Sequence, residues 1–239
     1  MIFRNVIMLE DYEREMIRQA GLIRHYTRGE NIFCTGDPAD RVCLIESGWV
    51  KIFRINGDGR YVTVGSIRRQ GELMGLAEAL HCVERTCNAG AITDVKLITV
   101  YREAFIELLE SETTIALKVA KLLAMRMRDA ETGVHEMVTH QVSSRLALLL
   151  LKIAEGCGQQ VDDGVRIEPR FTHEDLAAMI GASRQTVTSI LSAMREQHCI
   201  EMDEGIIKIT DWQRLSRYIS QGNDCRERQC LKLTRAARD

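Results

Sequence analysis

The stretch Phe171–Ile200, FTHEDLAAMIGASRQTVTSILSAMREQHCI, decides how this chain of 239 residues is read. Its apolar residues fall in two short helical registers separated by a tight turn. Thr172 is placed to cap the first helix, with Asp175 three residues on in the capping-box position. Leu176, Met179 and Ile180 then share one face. Ala177 is small enough for a second helix to cross closely, and Gly181 supplies a turn in which a positive φ costs little. Ser183 restarts the chain as an N-cap, and Val187, Ile190, Leu191 and Met194 recur at helical spacing. An ordinary helical hairpin with a solvated face is the plainest account of two such helices. The small residue, the turn glycine, the cap and the apolar register agree instead on a helix-turn-helix.

The polar residues of the second helix fall where a reader of duplex DNA needs them. Arg184, Gln185, Thr188 and Ser189 lie near its start, opposite Val187 and Ile190, and Ser183 and Thr172 stand at the two helix starts. A recognition helix sets its N-terminal residues against base edges in the major groove. Arginine can pair bidentately with guanine and glutamine with adenine. These six residues form the expected DNA-contacting set.

The segments EDLAAMIGA (174–182) and SRQTVTSIL (183–191) resemble the helix-turn-helix of the CRP/FNR family of bacterial transcription regulators. The resemblance extends over most of the chain, taking in ESGWVKIF (46–53) and GELMGL (71–76) as parts of a cyclic-nucleotide-binding β-roll. It implies an activator that binds a palindromic operator as a homodimer, with RNA polymerase as partner. Many members carry arginine where this chain has Ser189, which implies a different operator half-site.

Composition agrees with a soluble, cytoplasmic protein: 45% hydrophobic and 28% charged residues, with a net charge of −2. Residues 142–239 carry 14 Lys+Arg and 14 Asp+Glu, so DNA binding must rest on locally placed cations and two half-sites rather than on a basic coat. No apolar run approaches the roughly 20 residues of a membrane span. The start, MIFRNVIMLEDYER, meets acidic residues too early for a secretory signal. Eight scattered cysteines suit a reducing compartment.

The pattern along the chain predicts an α+β fold. Residues 1–112 form a sensor β-roll (double-stranded β-helix, jelly-roll-like), 113–141 a dimerisation helix, 142–220 a winged helix-turn-helix and 221–239 a basic tail. A short lead-in helix is expected within residues 1–28. Short strands follow at Ile32–Cys34, Val42–Glu46, Trp49–Ile55, Tyr61–Ile67 and Val95–Val100, with a hairpin turn at Asn56-Gly57-Asp58-Gly59. From Thr113 to Gln141 the positions Ala116, Ala120, Leu123, Met127, Ala130, Val134, Met137 and Gln141 alternate by four and three. That is a coiled-coil seam of about four heptads, on a helix of roughly 40 Å. Ala120, Leu123, Met127, Ala130, Val134 and Met137 are the expected homodimer contacts; a helix packed along its own domain is the alternative. A helix Val142–Glu155 follows, capped by Ser143 or Thr139 because Gln141 stands where many family members have aspartate. GCGQQVDDG (156–164) reads as a loop, Val165–Glu168 as a strand, and Ile200–Met202 with Ile206–Ile209 as the wing. Asp211 caps a last helix, Trp212–Ile219.

The effector loop runs from Gly71 through Arg85-Thr86. The family resemblance makes Arg85 and Thr86 the pair that holds a cyclic phosphate, although Arg85 in a plain structural ion pair is the alternative. The same resemblance puts Leu76 where a glutamate would accept the ribose hydroxyl, and leucine cannot do so. Met74-Gly75-Leu76-Ala77 is more similar to the apolar loop of the cyanobacterial nitrogen-control regulators, which sense 2-oxoglutarate. By that likeness Arg126 and Glu131 of the long helix join Gly75, Leu76, Arg85 and Thr86 around a small anion, 2-oxoglutarate-like or a cyclic nucleotide. Redox, haem or gas sensing on the same scaffold is a further alternative, as is regulation without an effector. Iron–sulfur relatives need clustered cysteines, and none precedes Cys34. Cys225 and Cys230 are too few to hold a cluster, and His81-Cys82 is the one candidate for haem. No nucleophile elbow, P-loop or HExxH motif supports an enzyme.

Overall fold

The computed structural model describes residues 9–219 except 58, 66 and 204, so the basic tail and Asp58 of the expected turn lie outside the described residues. Two compact units divide between Ala130 and Glu131. Helix α1 spans Asp11–Gln19, closed by a capping box of Glu10 and Glu13. The lead-in helix stops there. Leu22–Tyr26 is strand β1, paired antiparallel with β9 (Val95–Tyr101). Gly21 permits this approach, since an added Cβ would meet Ile98 Cγ2 at 2.5 Å.

The roll continues through β2 (Asn31–Phe33), β3 (Arg41–Ser47), β4 (Trp49–Ile55), β5 (Tyr61–Thr63), β6 (Arg68–Arg69), β7 (Leu73–Met74), helix α2 (Leu76–His81) and β8 (Asn88–Ala91). Tyr61–Ile67 was expected as one strand and is instead β5 alone, ending at Thr63. One sheet has the order β1-β9-β3-β7, the other β2-β8-β4-β5 with β6 on β4. Strand β3 is buried on both faces, which explains its unbroken apolar run. Cys43 and Ile45 face the roll interior with Val50, Ile52, Met74 and Leu97. Val42 and Leu44 face a second core made with Ile17 of α1, Leu76 and Ala79 of α2, and the helices that follow.

Those helices are α3 (Arg102–Ser111) and α4 (Thr113–Thr139). Phe105 of α3 and Ile115, Val119 and Leu122 of α4 are buried in the second core. Leu123 also packs against it, so it is not a free seam position. The exposed apolar line of α4 turns away from that contact: Leu117 is 56% exposed, Met127 61%, Val134 65% and Val138 65%. Ala120, Ala124, Ala130 and Met137 are exposed with them, and Glu131 lies between Met127 and Val134. Of the seam read from sequence, Ala120, Met127, Ala130, Val134 and Met137 are exposed, Ala116 is half-buried and Leu123 packs on the second core. The roll takes the face of Ile115, Val119 and Leu122, and of the expected contacts it draws in Leu123.

Helix α5 (Val142–Cys157) starts at Gln141 without a side-chain cap. The expected caps are not made: Thr139 donates to the His135 carbonyl at 2.7 Å. Arg145 instead donates to the carbonyls of His140 at 2.9 Å and Ile180 at 3.0 Å. The segment read as a loop contains β10 (Gly158–Val161), which hairpins into β11 (Gly164–Ile167). These strands join β13 (Ile206–Ile209) and β12 (Ile200–Asp203) as the wing sheet. Asp211 caps the last helix, over residues 212–219, accepting from the Arg214 N–H at 2.8 Å.

Phe105 is fully buried, so Phe105→Ala should cost about 3–5 kcal/mol of roll stability. Urea unfolding followed by Trp49 fluorescence in a Trp212→Phe background measures it. A loss under about 1 kcal/mol would mean the second core closes over the gap.

Candidate functional site

Helix α6 (His173–Ile180) begins with the capping box that its sequence spells. Thr172 Oγ1 accepts from the Asp175 N–H at 3.0 Å and donates to Asp175 Oδ2 at 2.6 Å. Gly181 closes the helix at φ 63°, a left-handed geometry that costs other residues roughly 1–2 kcal/mol. Helix α7 (Arg184–Glu196) opens with Ser183 accepting from the Thr186 N–H at 3.1 Å. Leu176, Ala177 and Ile180 of α6 and Val187, Leu191 and Met194 of α7 are buried, fixing how the two helices cross.

This packing sorts the six expected DNA-contacting residues. Arg184, Gln185 and Ser189 are exposed, and no side-chain hydrogen bond or ion pair holds them among the described residues. Thr172 and Ser183 are committed as caps. Thr188 is tied on both sides: its Oγ1 donates to the Arg184 carbonyl at 2.9 Å and lies 2.8 Å from His173 Nδ1. Sequence reasoning missed His173, since nothing in the spacing brings residues 173 and 188 together.

In the roll, Arg85 and Thr86 do not converge. Arg85 is 3% exposed and stacks on Phe33, its Cζ 4.4 Å from the ring centroid. It donates to the Gly75 carbonyl at 2.9 Å and to the Arg41 carbonyl, with no carboxylate partner among the described residues, so the plain ion pair is not made. Gly75 has to be glycine here: φ is 74°, and a Cβ would meet Arg85 Nη1 at 2.6 Å. Thr86 points outward and donates to Glu78 Oε1 at 2.7 Å. Burial alone would raise the Glu78 carboxyl, but the Thr86 hydroxyl and the charge of Arg85 outweigh it and hold Glu78 below its ordinary range.

Leu76 is 1% exposed and packs in the second core, so its side chain is not available to any ligand. Leu76 is thus a core residue here rather than part of the effector-contacting set expected from sequence. A carboxylate does lie nearby, at Glu72, which is 6% exposed. Arg126 Nη2 approaches Glu72 Oε2 at 3.9 Å and donates to the Leu73 carbonyl at 2.5 Å, while its Nε has no hydrogen-bond partner among the described residues. Burial, with the charge of Arg68 adding to it and Glu72 and Asp129 opposing it, lowers Arg126 to about 9. Burial likewise raises Glu72, against the pull of Arg68, Arg126 and Arg69. Three arginines thus face two carboxylates at the junction of β6, β7 and α4. Glu131 does not join them: five residues from Arg126, it points about 140° around the helix and is exposed.

Residues 23–112 match the cyclic nucleotide-binding domain family and residues 144–218 the Crp-like helix-turn-helix domain family. The CRP-like cAMP-activated global transcriptional regulator of Mycobacterium tuberculosis is 30% identical over 192 residues, 80% of this chain and 85% of its own length. The chain belongs to the CRP/FNR family of transcription regulators. The global nitrogen regulator of Synechococcus elongatus is also 30% identical, over 200 residues, covering 83% of this chain and 90% of that one. FixK2 from Bradyrhizobium japonicum shares the fold, with a TM-score of 0.73 at 22% identity over 83% of this chain and 96% of its own.

This CRP/FNR regulator is a DNA-binding protein of the helix-turn-helix class and not an enzyme. No described helix is long and apolar enough to cross a membrane. Among the described residues no three His, Cys, Asp or Glu side chains gather to hold a metal ion; Cys225 and Cys230 lie outside them. The free side chain of Arg184 makes a specific expectation. Arg184→Ala should cost about 1–3 kcal/mol on a selected duplex and relax preference for one base pair per half-site. Equal losses on selected and random duplexes in an anisotropy titration would assign Arg184 to phosphate instead.

Proposed function

We propose that this regulator is a homodimer on a two-fold operator, gated by a small dicarboxylate held in the roll beside Arg126. The observation that carries the gating is the buried Arg126 itself. A guanidinium largely withdrawn from water beside Arg68, with Glu72 at 3.9 Å, the charge of Asp129 and an Nε that has no hydrogen-bond partner among the described residues, is under-compensated, and an incoming anion relieves it. Arg68 adds positive charge at the same place. Arg85 serves as a strut under the Leu73–Gly75 segment rather than as a direct ligand.

Glu78 bears on the class of anion. Its carboxylate sits on the Thr86 hydroxyl, where a cyclic phosphate would need a donor, and its charge opposes a phosphate there. A dicarboxylate such as 2-oxoglutarate avoids that position by meeting Arg126. The exposed apolar residues Ala120, Met127, Ala130, Val134 and Met137, with Leu117 and Val138 beside them, support pairing with a second copy, since a stripe of this kind is seldom left in water. Arg126 is next to Met127 in that stripe, so a ligand on the arginine biases how two such helices pair. RNA polymerase is the expected partner of the DNA-bound dimer in activation, and the cytoplasm its expected location.

Replacing Met127 and Val134 together with glutamate would set like charges across the stripe, at several kcal/mol. Light scattering should then give a folded monomer; a variant that stays dimeric moves the interface elsewhere.

Calorimetry should show 2-oxoglutarate binding to the wild type and not to Arg126→Met, with cAMP binding to neither. Bound ligand should change operator affinity by about 5–150-fold, the span of about 1–3 kcal/mol of coupling. Tight cAMP binding would overturn the dicarboxylate assignment. Full operator binding that ignores both anions would remove the gate.

A further inference from the structure

His173 opens α6, and its Nδ1 lies 2.8 Å from Thr188 Oγ1 on α7. Thr188 has one hydroxyl proton. It goes to the Arg184 carbonyl, 2.9 Å away and one turn back, the bond that threonine often makes inside a helix. Oγ1 must therefore accept from His173. In the neutral ring Nδ1 then carries the hydrogen, and Nε2 is left as a bare acceptor.

That bare nitrogen stands in a telling place. In a helix-turn-helix the second helix lies in the major groove while the first crosses the DNA backbone. By that docking, a residue of the first helix that touches the recognition helix one turn after Arg184 would face the phosphate wall of the groove. Phosphate oxygens only accept hydrogen bonds, so a neutral His173 with its hydrogen on Nδ1 has nothing to offer them. The imidazolium ion donates from both nitrogens, one to Thr188 and one to phosphate.

We propose that His173 is a phosphodiester contact of the DNA interface and that its Nε2 takes up a proton as the duplex binds. Thr188 dictates this by claiming Nδ1, and the same bond holds the ring in place. The charged neighbours set the balance. Glu174 and Asp175 follow His173 on α6, with Asp175 tied to Thr172 by its capping-box hydrogen bonds. Arg184 on α7 and Arg170 in the preceding loop oppose the proton. A phosphate added to the carboxylates tips the site toward the imidazolium. Because the complex then holds more protons than the free partners, affinity rises as pH falls. The inference rests on the DNA-binding role alone, not on any effector.

The test uses the full chain and a duplex that the protein itself selects from a randomised pool. Anisotropy titrations at fixed salt run from pH 6 to 8.5 on the wild type and His173→Gln, whose amide can donate to Thr188 but cannot titrate. The wild type should lose affinity with rising pH by at most about tenfold per unit for each proton taken up, while the variant stays nearly flat. Calorimetry in buffers of different ionisation heat should register proton uptake in the wild type only. Nitrogen shifts of the ring should report hydrogen on Nδ1 in the free protein and on both nitrogens in the complex. Parallel pH curves for the two proteins overturn the proposal even if both bind tightly. Failure to select any duplex would overturn the DNA reading itself, which is a different result.

Discussion

The contact on which much of this chain depends is the burial of Ile115, Val119 and Leu122 of α4 against the roll. Three branched side chains at spacings of four and three cover one face of the helix and complete the second core with Phe105 and Leu44. Fixing that face fixes every other. It turns Leu117, Met127, Val134 and Val138 to solvent, and it brings the guanidinium of Arg126 down onto Leu73 and Glu72. One hydrophobic contact thus sets both the exposed stripe and the buried charge.

The charge is costly in its place. Moving an arginine out of water is compensated only when geometry and hydrogen bonds are good, and here the Leu73 carbonyl and the carboxylates of Glu72 and Asp129 share the task. Arg85, buried more deeply, meets two carbonyls and the face of Phe33. The two arginines brace the same Leu73–Gly75 segment, and in both the Nε has no hydrogen-bond partner among the described residues.

The helix-turn-helix follows a different logic, in which hydroxyl groups are mostly spent on holding the backbone. Thr172, Ser183 and Thr188 each make bonds that shape the two helices, leaving Arg184, Gln185 and Ser189 free. Spending the short side chains on geometry is what lets the long ones be presented from a rigid base.

The sequence by itself determined the elements whose signals are local. The capping box at Thr172, the turn at Gly181, the register of Val187 and Leu191, strand β4 and the long helix are all read from neighbours within a turn or two. Strand β1 was lost to an expected helix because its only support is pairing with β9, more than seventy residues away. Likewise β10 looked like a loop until β11 paired with it. The tertiary structure alone decided which face of α4 is free, since a heptad period fixes spacing but not phase. It alone separated Arg85, turned inward onto Phe33, from adjacent Thr86, exposed beside Glu78. It alone sent Leu76 to the core and set Glu72 before Arg126. Periodicity records what a residue is near along the chain; burial and charge compensation depend on what folds against it.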